Sequence, residues 1–263
     1  MKELLIVKAF FRKKSRDSGE KNRTAGEEEF ILVGKNASFA VTEAYKTLRT
    51  NVMFSLPAEE NRGRLIGVTS VSKGEGKSTN TINLALSIAE LGKKVLFLDC
   101  DLRLSAMGER LNLPASPGLS NALVGLAGYE DIVHPYEDTG LDVILAGEFP
   151  PNPSEILESP KMAEFCRSMA ERYDYVIIDL PPVGVVSDAM IVSRYIDGVI
   201  MVVRQEHCAG RDLREAVRQL NFINAKILGF IFCDHTEKRG GRYGKYGKYG
   251  KYGSYGEYGG YGS

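Results

Sequence analysis

Net charge is the first thing this sequence lacks: 34 Lys and Arg balance 34 Asp and Glu over 263 residues, giving a formal net charge of zero. Composition therefore gives no general argument for binding nucleic acid or a membrane, and no nucleic acid is expected as a partner. Cysteine is sparse as well. Cys100, Cys166, Cys208 and Cys233 lie at long, irregular spacings that suit neither a disulfide scaffold nor a metal knuckle, which points to a reducing, cytoplasmic setting. No uninterrupted apolar run approaches the ~20 residues that a membrane-crossing helix needs. The start, MKELLIVKAFFRKK, has too short an apolar stretch and no cleavage-site pattern. A soluble protein is expected, unless a partner brings it to a membrane. Leu4 to Phe11, followed by Arg12, Lys13 and Lys14, reads either as an amphipathic turn or two on anionic lipid or as a docking or frayed segment.

Short apolar runs alternating with helical stretches are what the chain does have. The runs are LIGVTS (65–70), KVLFLDC (94–100), LDVILA (141–146), YVIIDL (175–180), GVIMVV (198–203) and KILGFIF (226–232). Several are apolar without alternation, as expected of strands buried on both faces. Helices are expected over 77–91, 161–172, 187–195 and 210–223. A further amphipathic helix over 38–55 carries Val41, Ala44, Tyr45, Leu48 and Val52 at helical spacing, with Thr42 near its N-terminus. The pattern predicts an α/β fold, a mostly parallel sheet flanked by helices. Three parts are expected: an N-terminal segment and linker (1–37), one compact domain (38–236) and a tail (237–263).

Parallel sheets bind ligands at the carboxyl ends of their strands, so chemical motifs should follow the runs. After the first core run comes SVSKGEGKST (70–79), leading into a helix near Lys77. Gly74 and Gly76 let backbone N–H groups turn around phosphate oxygens, Lys77 supplies a point charge, and the Ser78 hydroxyl suits Mg²⁺. Val71 occupies the first glycine position of the usual P-loop pattern. After the second run, LFLDCDLRLS presents Asp99 and Asp101, two apart and so on one face of an extended segment, with Arg103 beyond them. Asp179 ends YVIID in the manner of a Walker B aspartate.

The last two dozen residues have no aliphatic side chain to bury. Tyr243, Tyr246, Tyr249, Tyr252, Tyr255, Tyr258 and Tyr261 recur there at every third position, each followed by glycine. Such a segment should not pack. Alone it reads as a sticky low-complexity tail; beside a P-loop it reads as a display of phenolic acceptors.

Together these residues resemble the bacterial tyrosine kinases, P-loop enzymes that regulate capsular and exopolysaccharide synthesis, over residues 38 to 235 and the tail. SKGEGKST stands as Walker A, FLDCDLR as the Asp-rich second motif and VIIDLPP as Walker B. EAYKTLR (43–49) is similar to the family's Glu-x-x-Arg-x-x-Arg oligomerisation motif, with Lys46 where arginine is usual. PPNPSEIL (150–157) is similar to a loop-to-helix segment common in the family, and the tail matches its autophosphorylation cluster. The wider relatives are partition-type and septum-site ATPases. They carry a signature lysine at the position of Ser72 and lack a tyrosine tail, whereas here Lys73 lies one place later. Cys233 stands where relatives often place an asparagine near the adenine, with backbone groups or Asp234 as substitutes.

The resemblance implies ATP as substrate and Mg²⁺, with nucleotide contacts from Ser72, Lys73, Gly74, Glu75, Gly76, Lys77, Ser78 and Thr79. It gives Lys77 the γ-phosphoryl group, assigns metal oxygens to Ser78, Asp99 and Asp179, and makes Asp99 or Asp101 the tyrosine's base, Asp99 being the first choice. Arg103 reads either as a clamp on transition-state charge or as the salt-bridge partner of Asp101. Glu43, Lys46 and Arg49 read as pairing charges at i, i+3 and i+6 that build a homo-oligomeric ring, an octamer for instance, or as an ordinary solvated face. Phosphorylation in trans, a separate membrane adaptor or polysaccharide co-polymerase as activator, polysaccharide-synthesis enzymes as substrates and a place at the inner face of the cell membrane follow from the same resemblance. The alternatives are a nucleotide-switched ATPase that positions cargo, hydrolysing ATP without phosphorylating protein, and a non-enzymatic scaffold.

Overall fold

The computed structural model describes residues 5–10, 30–56 and 62–234; the tail and most of the expected linker lie outside the described residues. In chain order the elements are β1 (Leu5–Phe10), α1 (Phe39–Ser55), β2 (Arg64–Ser70), α2 (Lys77–Ala89), β3 (Val95–Asp99), α3 (Met107–Leu111), α4 (Leu119–Leu123), α5 (Tyr129–Ile132), β4 (Val133–Tyr136), β5 (Leu141–Ile144), α6 (Pro153–Glu158), α7 (Pro160–Arg172), β6 (Tyr175–Asp179), α8 (Asp188–Val192), β7 (Gly198–Arg204), α9 (Gly210–Phe222) and β8 (Ile227–Asp234). The strands form one sheet in the order β1-β8-β7-β2-β6-β3-β5-β4. Every neighbouring pair is parallel except β4–β5, which is antiparallel. A doubly covered, mostly parallel sheet is what the apolar runs predict.

The central strands feed two cores in alternation. On β3, Val95 and Phe97 point into the core that holds Tyr45, Leu48 and Val52 of α1 and Ile82, Ala85 and Ile88 of α2. Leu96 and Leu98 point the other way, toward Met162 and Cys166 of α7, Ala189 of α8 and Leu220 of α9. β6 and β7 divide in the same fashion, so a one-residue slip would exchange the two faces and misfit both. Register is thus fixed from both sides, and with it the height at which each strand ends.

The structure sharpens three expectations. The segment read as a lipid-facing turn or a docking or frayed piece is strand β1, docked parallel on the edge of β8 from Leu5↔Gly229 to Phe10↔Asp234. Thr42 lies near the N-terminus of α1 as expected, inside the first turn, and the N-cap is Ser38, whose hydroxyl accepts the Val41 amide at 3.4 Å. The helix expected over 187–195 is five residues of α8 followed by a 3₁₀ turn over Ser193–Tyr195. The missed β4, VHPY, carries a proline, which only an edge strand or a bulge tolerates, and it is the edge strand beside β5. The short helices α3 to α6 span four to six residues each, below one and a half to two turns, and offer no periodicity to read.

One close approach joins this frame to the loop after β2. The Gly184 amide donates to the Val71 carbonyl at 3.2 Å, and a Cβ on Gly184 would stand 2.5 Å from that oxygen. Gly184→Ala must push two backbones apart and should lower unfolding stability by ~1–3 kcal/mol, the usual range for overpacking. Denaturant melts of the two proteins measure it; equal midpoints would show that the loop yields freely.

Candidate active site

β2 ends at Ser70 and α2 begins at Lys77, so residues 71–76 must reverse the chain within six positions. Gly74 (φ 86°) and Gly76 (φ 89°) take the left-handed conformations this requires. Val71, in the first glycine position of the usual pattern, is buried, and the glycine that permits close packing there is Gly184 on the opposing loop.

Side chains then hold the loop from outside. Glu75, 1% exposed, turns inward: one carboxylate oxygen accepts the Ser72 amide (2.6 Å) and hydroxyl (2.7 Å), and the other accepts the Arg204 amide (3.2 Å). The Arg204 guanidinium donates to the Gly74 carbonyl at 2.9 Å, and His207 Nε2 lies 2.9 Å from the Lys73 carbonyl. With carbonyls engaged on the outside and the Ser72 amide taken by Glu75, the glycine-rich turn and the first turn of α2 present the amides that suit an anion. Of the residues expected around nucleotide, Gly74, Gly76, Lys77, Ser78 and Thr79 form the loop and first helical turn. Glu75 and Ser72 brace the loop against each other, and the Lys73 side chain is exposed. Arg204 and His207 carry no motif and were not legible in the sequence.

Lys77 is the hub. Its ammonium lies 3.0 Å from Asp101 Oδ2, 3.3 Å from each Asp179 oxygen and 3.3 Å from Ser78 Oγ. Asp99 and Asp179 are register partners on β3 and β6, and both are buried, as is Asp101. Asp99 accepts the Asp101 amide at 3.0 Å and the Ser105 hydroxyl at 2.5 Å, while Thr81 donates to Asp179 at 3.3 Å. The sequence thus named all three carboxylates and the lysine, and missed Ser105 and Thr81.

Three carboxylates face one ammonium in a dry setting. Burial works against the charge of Lys77, but Asp179, Asp101 and Asp99 outweigh it and hold its pKa above the usual range. Burial, and then the charge of Asp179, push Asp99 up to about 7, although Ser105, Lys77 and the Asp101 amide pull it back. Burial also raises Asp179, against the pull of Lys77 and Ser78. The donor set of hydroxyl and carboxylate oxygens with surplus negative charge fits Mg²⁺. Among the described residues no three His, Cys, Asp or Glu side chains are grouped to hold a metal by themselves. Mg²⁺ is commonly held by one or two carboxylates, with phosphate oxygens and water completing its shell.

Arg103 corrects an expectation. It pairs with Asp188, not Asp101: its Nε is 2.7 Å and its Nη2 3.2 Å from the two carboxylate oxygens, and Nη2 also donates to Ser154 Oγ at 2.9 Å. Asp188 is fully buried, so this guanidinium is committed to a loop staple. Arg49 departs as well. Glu43 and Lys46 bridge each other at 2.8 Å on the exposed face of α1, but Arg49 turns inward and donates to the Ser87 carbonyl (2.5 Å) and to Glu90 (3.2 Å), pinning α1 to α2. At Cys233, the thiol accepts from Asn80 Nδ2 at 3.4 Å; the same nitrogen donates to the Gly76 carbonyl at 2.8 Å, and Asn80 Oδ1 accepts the Tyr45 hydroxyl at 3.0 Å. The Asp234 side chain lies outside the described residues.

The raised carboxylate makes a testable statement about stability. Asp99 keeps its proton in the folded state up to about 7, whereas an ordinary aspartate loses it near ~4. Its stabilising contribution is therefore fully present below the ordinary value and lost as pH rises through about 7. The melting temperature of nucleotide-free, Mg²⁺-free protein should fall between about pH 5 and about pH 8, and Asp99→Asn, with no charge to desolvate, should flatten that fall. Scanning calorimetry across the range decides it: an unchanged slope in the variant contradicts the assignment.

Comparison with known proteins agrees with this geometry. The ParA family model, described as NUBPL iron-transfer P-loop NTPase, matches residues 61–241. The tyrosine-protein kinase YwqD of Bacillus subtilis is 33% identical over 80% of this chain and 88% of its own length. The putative tyrosine-protein kinase EpsB of Ralstonia nicotianae is 36% identical over 78% of this chain, which spans only 27% of that longer relative. The kinase domain of the Escherichia coli tyrosine kinase ETK superposes with a TM-score of 0.76 at 28% identity, covering 95% of this chain and 94% of that one. A P-loop family model over residues 61–241, and identity of 33% to YwqD over most of both chains, mean that this chain, with its P-loop and strand-end aspartates, belongs to the bacterial tyrosine kinase family of ParA-type P-loop NTPases.

Proposed function

We propose that the chain is an autophosphorylating protein-tyrosine kinase that transfers the γ-phosphoryl group of ATP to tyrosines 243 to 261 of a neighbouring copy, and so regulates capsular or exopolysaccharide synthesis and export. One observation carries the reading: β8 runs parallel to β7 and β2, so the chain leaves the sheet toward its seven tyrosines at the same edge that bears the P-loop and the three carboxylates. Some 20 Gly-rich residues span roughly 25 Å, enough to enter an adjacent copy's crevice. The relatives are named tyrosine-protein kinases, which supports protein rather than water as acceptor.

Phosphoryl transfer asks chiefly for positioning and charge neutralisation. The loop amides and Lys77 hold the phosphates, and Ser78 with Asp179 offers the oxygens that would hold Mg²⁺. That ion, when bound, neutralises charge developing on the phosphate oxygens. Asp99 accepts the phenol proton as the new bond forms; a tyrosine titrates near ~10, so a base beside the attacking oxygen assists without forming a phenolate beforehand. Arg103 serves by position. No helix among the described residues is long and apolar enough to cross a membrane. A separate membrane adaptor or co-polymerase is the proposed activator, bringing the enzyme to the inner face of the membrane, with polysaccharide-synthesis enzymes as further substrates.

Incubation with Mg-ATP followed by intact-mass analysis tests the chemistry. Phosphate additions to the tail should appear and fall by about 100-fold or more in Lys77→Met, the scale on which a lost transition-state donor acts. ATP turnover without protein phosphorylation would establish the partition-type ATPase instead. Mixing the Lys77→Met chain with an active chain whose tail tyrosines are phenylalanine should phosphorylate the former; an unmodified Lys77→Met chain would mean reaction in cis.

Charge predicts the consequence. From 242 onward the tail carries Arg242, Lys245, Lys248 and Lys251 against Glu257, a net of +3. Each phosphate adds about −1.5 to −2, so full modification shifts the tail by roughly −10 or more. Phosphorylated assemblies should therefore be smaller by light scattering than those of the all-phenylalanine tail, and equal sizes would refute the switch.

A further inference from the structure

Three loops leave the sheet beside the carboxylates, after β6, β3 and β5, which are adjacent in the sheet order. Each presents one exposed, large apolar residue: Leu104 (60% exposed) five residues past the end of β3, Phe149 (65%) five past β5, and Val185 (66%) six past β6. Exposed aliphatic and aromatic side chains at one edge of a sheet are not needed by either core. What makes them a group is the staple described above. Arg103 precedes Leu104, Ser154 follows the Phe149 loop, and Asp188 follows Val185 by three residues. These polar partners meet: Arg103 holds both Asp188 oxygens, and Ser154 donates to Asp188 Oδ1 at 2.6 Å as well as accepting from Arg103. One bidentate pair on a fully buried carboxylate thus fixes three loops to one another.

We infer that Leu104, Phe149 and Val185 form an apolar rim that receives the tyrosine rings of a second copy's tail, with the Arg103–Asp188–Ser154 staple setting its shape. The inference rests on the kinase reading and names its acceptor subsite. The occupant follows from chemistry and from where the chain runs. The tail offers aromatic rings and no aliphatic side chain, and rings pack on aliphatic and aromatic surface. Lys245, Lys248 and Lys251 each stand immediately before a tyrosine, while Asp99, Asp101 and Asp179 outnumber Lys77 just inside the rim. The lysine-bearing tail and the negatively charged crevice are thus complementary in charge. Glycine after every tyrosine leaves the backbone free to approach.

Binding can be read without chemistry. The test uses the full chain with its seven tail tyrosines changed to serine, a non-hydrolysable ATP analogue, and a dye-labelled peptide of residues 242–253 followed by fluorescence anisotropy. The triple substitution Leu104→Ser, Phe149→Ser and Val185→Ser should weaken the peptide at least tenfold, or ~1.4 kcal/mol. Phe222→Ser is the control: Phe222 is 88% exposed and ends α9 at the opposite edge of the sheet, and its loss should leave peptide affinity unchanged. Phe149→Ser alone, with an unaltered melting temperature, should give part of the loss and guards against a misfolded triple variant. Equal affinity with and without the rim residues overturns the inference, as does absence of binding to the intact rim. So does a triple variant that holds the peptide but scatters as a smaller assembly, because the face would then join the bodies of two copies. A peptide that binds the rim yet takes no phosphate from Mg-ATP refutes the kinase reading and leaves the rim in place.

Discussion

Two carboxylates buried side by side at the ends of neighbouring strands set the terms for everything around them. Asp99 and Asp179 stand opposite each other in a parallel register that cannot slip, because every residue below them alternates between two filled cores. Their charges are desolvated and mutually repelling, and removing water from such a pair costs several kcal/mol before compensation. Compensation comes from Lys77, the Asp101 amide, and the hydroxyls of Ser105 and Thr81. It is incomplete, since Asp99 still sits at about 7. A site that keeps unneutralised negative charge at the mouth of a phosphate loop is built for a cation and a polyphosphate together, and gives up stability without them.

The phosphate loop is in turn held from three directions. Gly184 closes against Val71 below, Glu75 ties Ser72 to Arg204 across the loop, and Arg204 with His207 engages the outward carbonyls. A fourth tie runs through α1. Burial pushes the Tyr45 hydroxyl pKa up, so it stays a donor; it holds Asn80, which holds the Gly76 carbonyl and touches Cys233 at the end of β8. Arg49 fastens the same helix to α2. The helix that carries the exposed Glu43–Lys46 pair is thus joined by hydrogen bonds to the loop that grips phosphate, and a contact made on α1 has a physical route to the nucleotide.

Legibility followed sequence distance. Local signals were read well: the apolar runs became strands, GEGK became the left-handed turn before α2, and Asp99, Asp101 and Asp179 emerged at strand ends where ligand chemistry belongs. What escaped were partners supplied by distant segments. Sequence offers Arg103 two roles, a clamp on transition-state charge or a partner for Asp101 two residues away, whereas its partner is Asp188, 85 residues on, brought close by the order β6-β3. The family resemblance groups Arg49 with Glu43 and Lys46, yet its side chain turns to Ser87, 38 residues away. Glu75 sits among phosphate-binding residues by motif and proves to be a brace, because its side chain finds Ser72 and the Arg204 amide before it can face the crevice. Periodicity assigns a residue to an element and a face; which charge it meets there depends on strand order.

Parallel strand direction accounts for why the site needs so little apparatus. In a parallel sheet all strands deliver their C-termini to one edge, so the P-loop after β2, the carboxylates of β3 and β6, the stapled loops and the exit from β8 share it without any element being added for the purpose. β1 is parallel to β8, so the N-terminal segment also departs from that edge. On the proposed reaction, acceptor tyrosines placed anywhere else in the chain would have to be carried around the domain. Appended to β8, they follow the strand that ends beside the site.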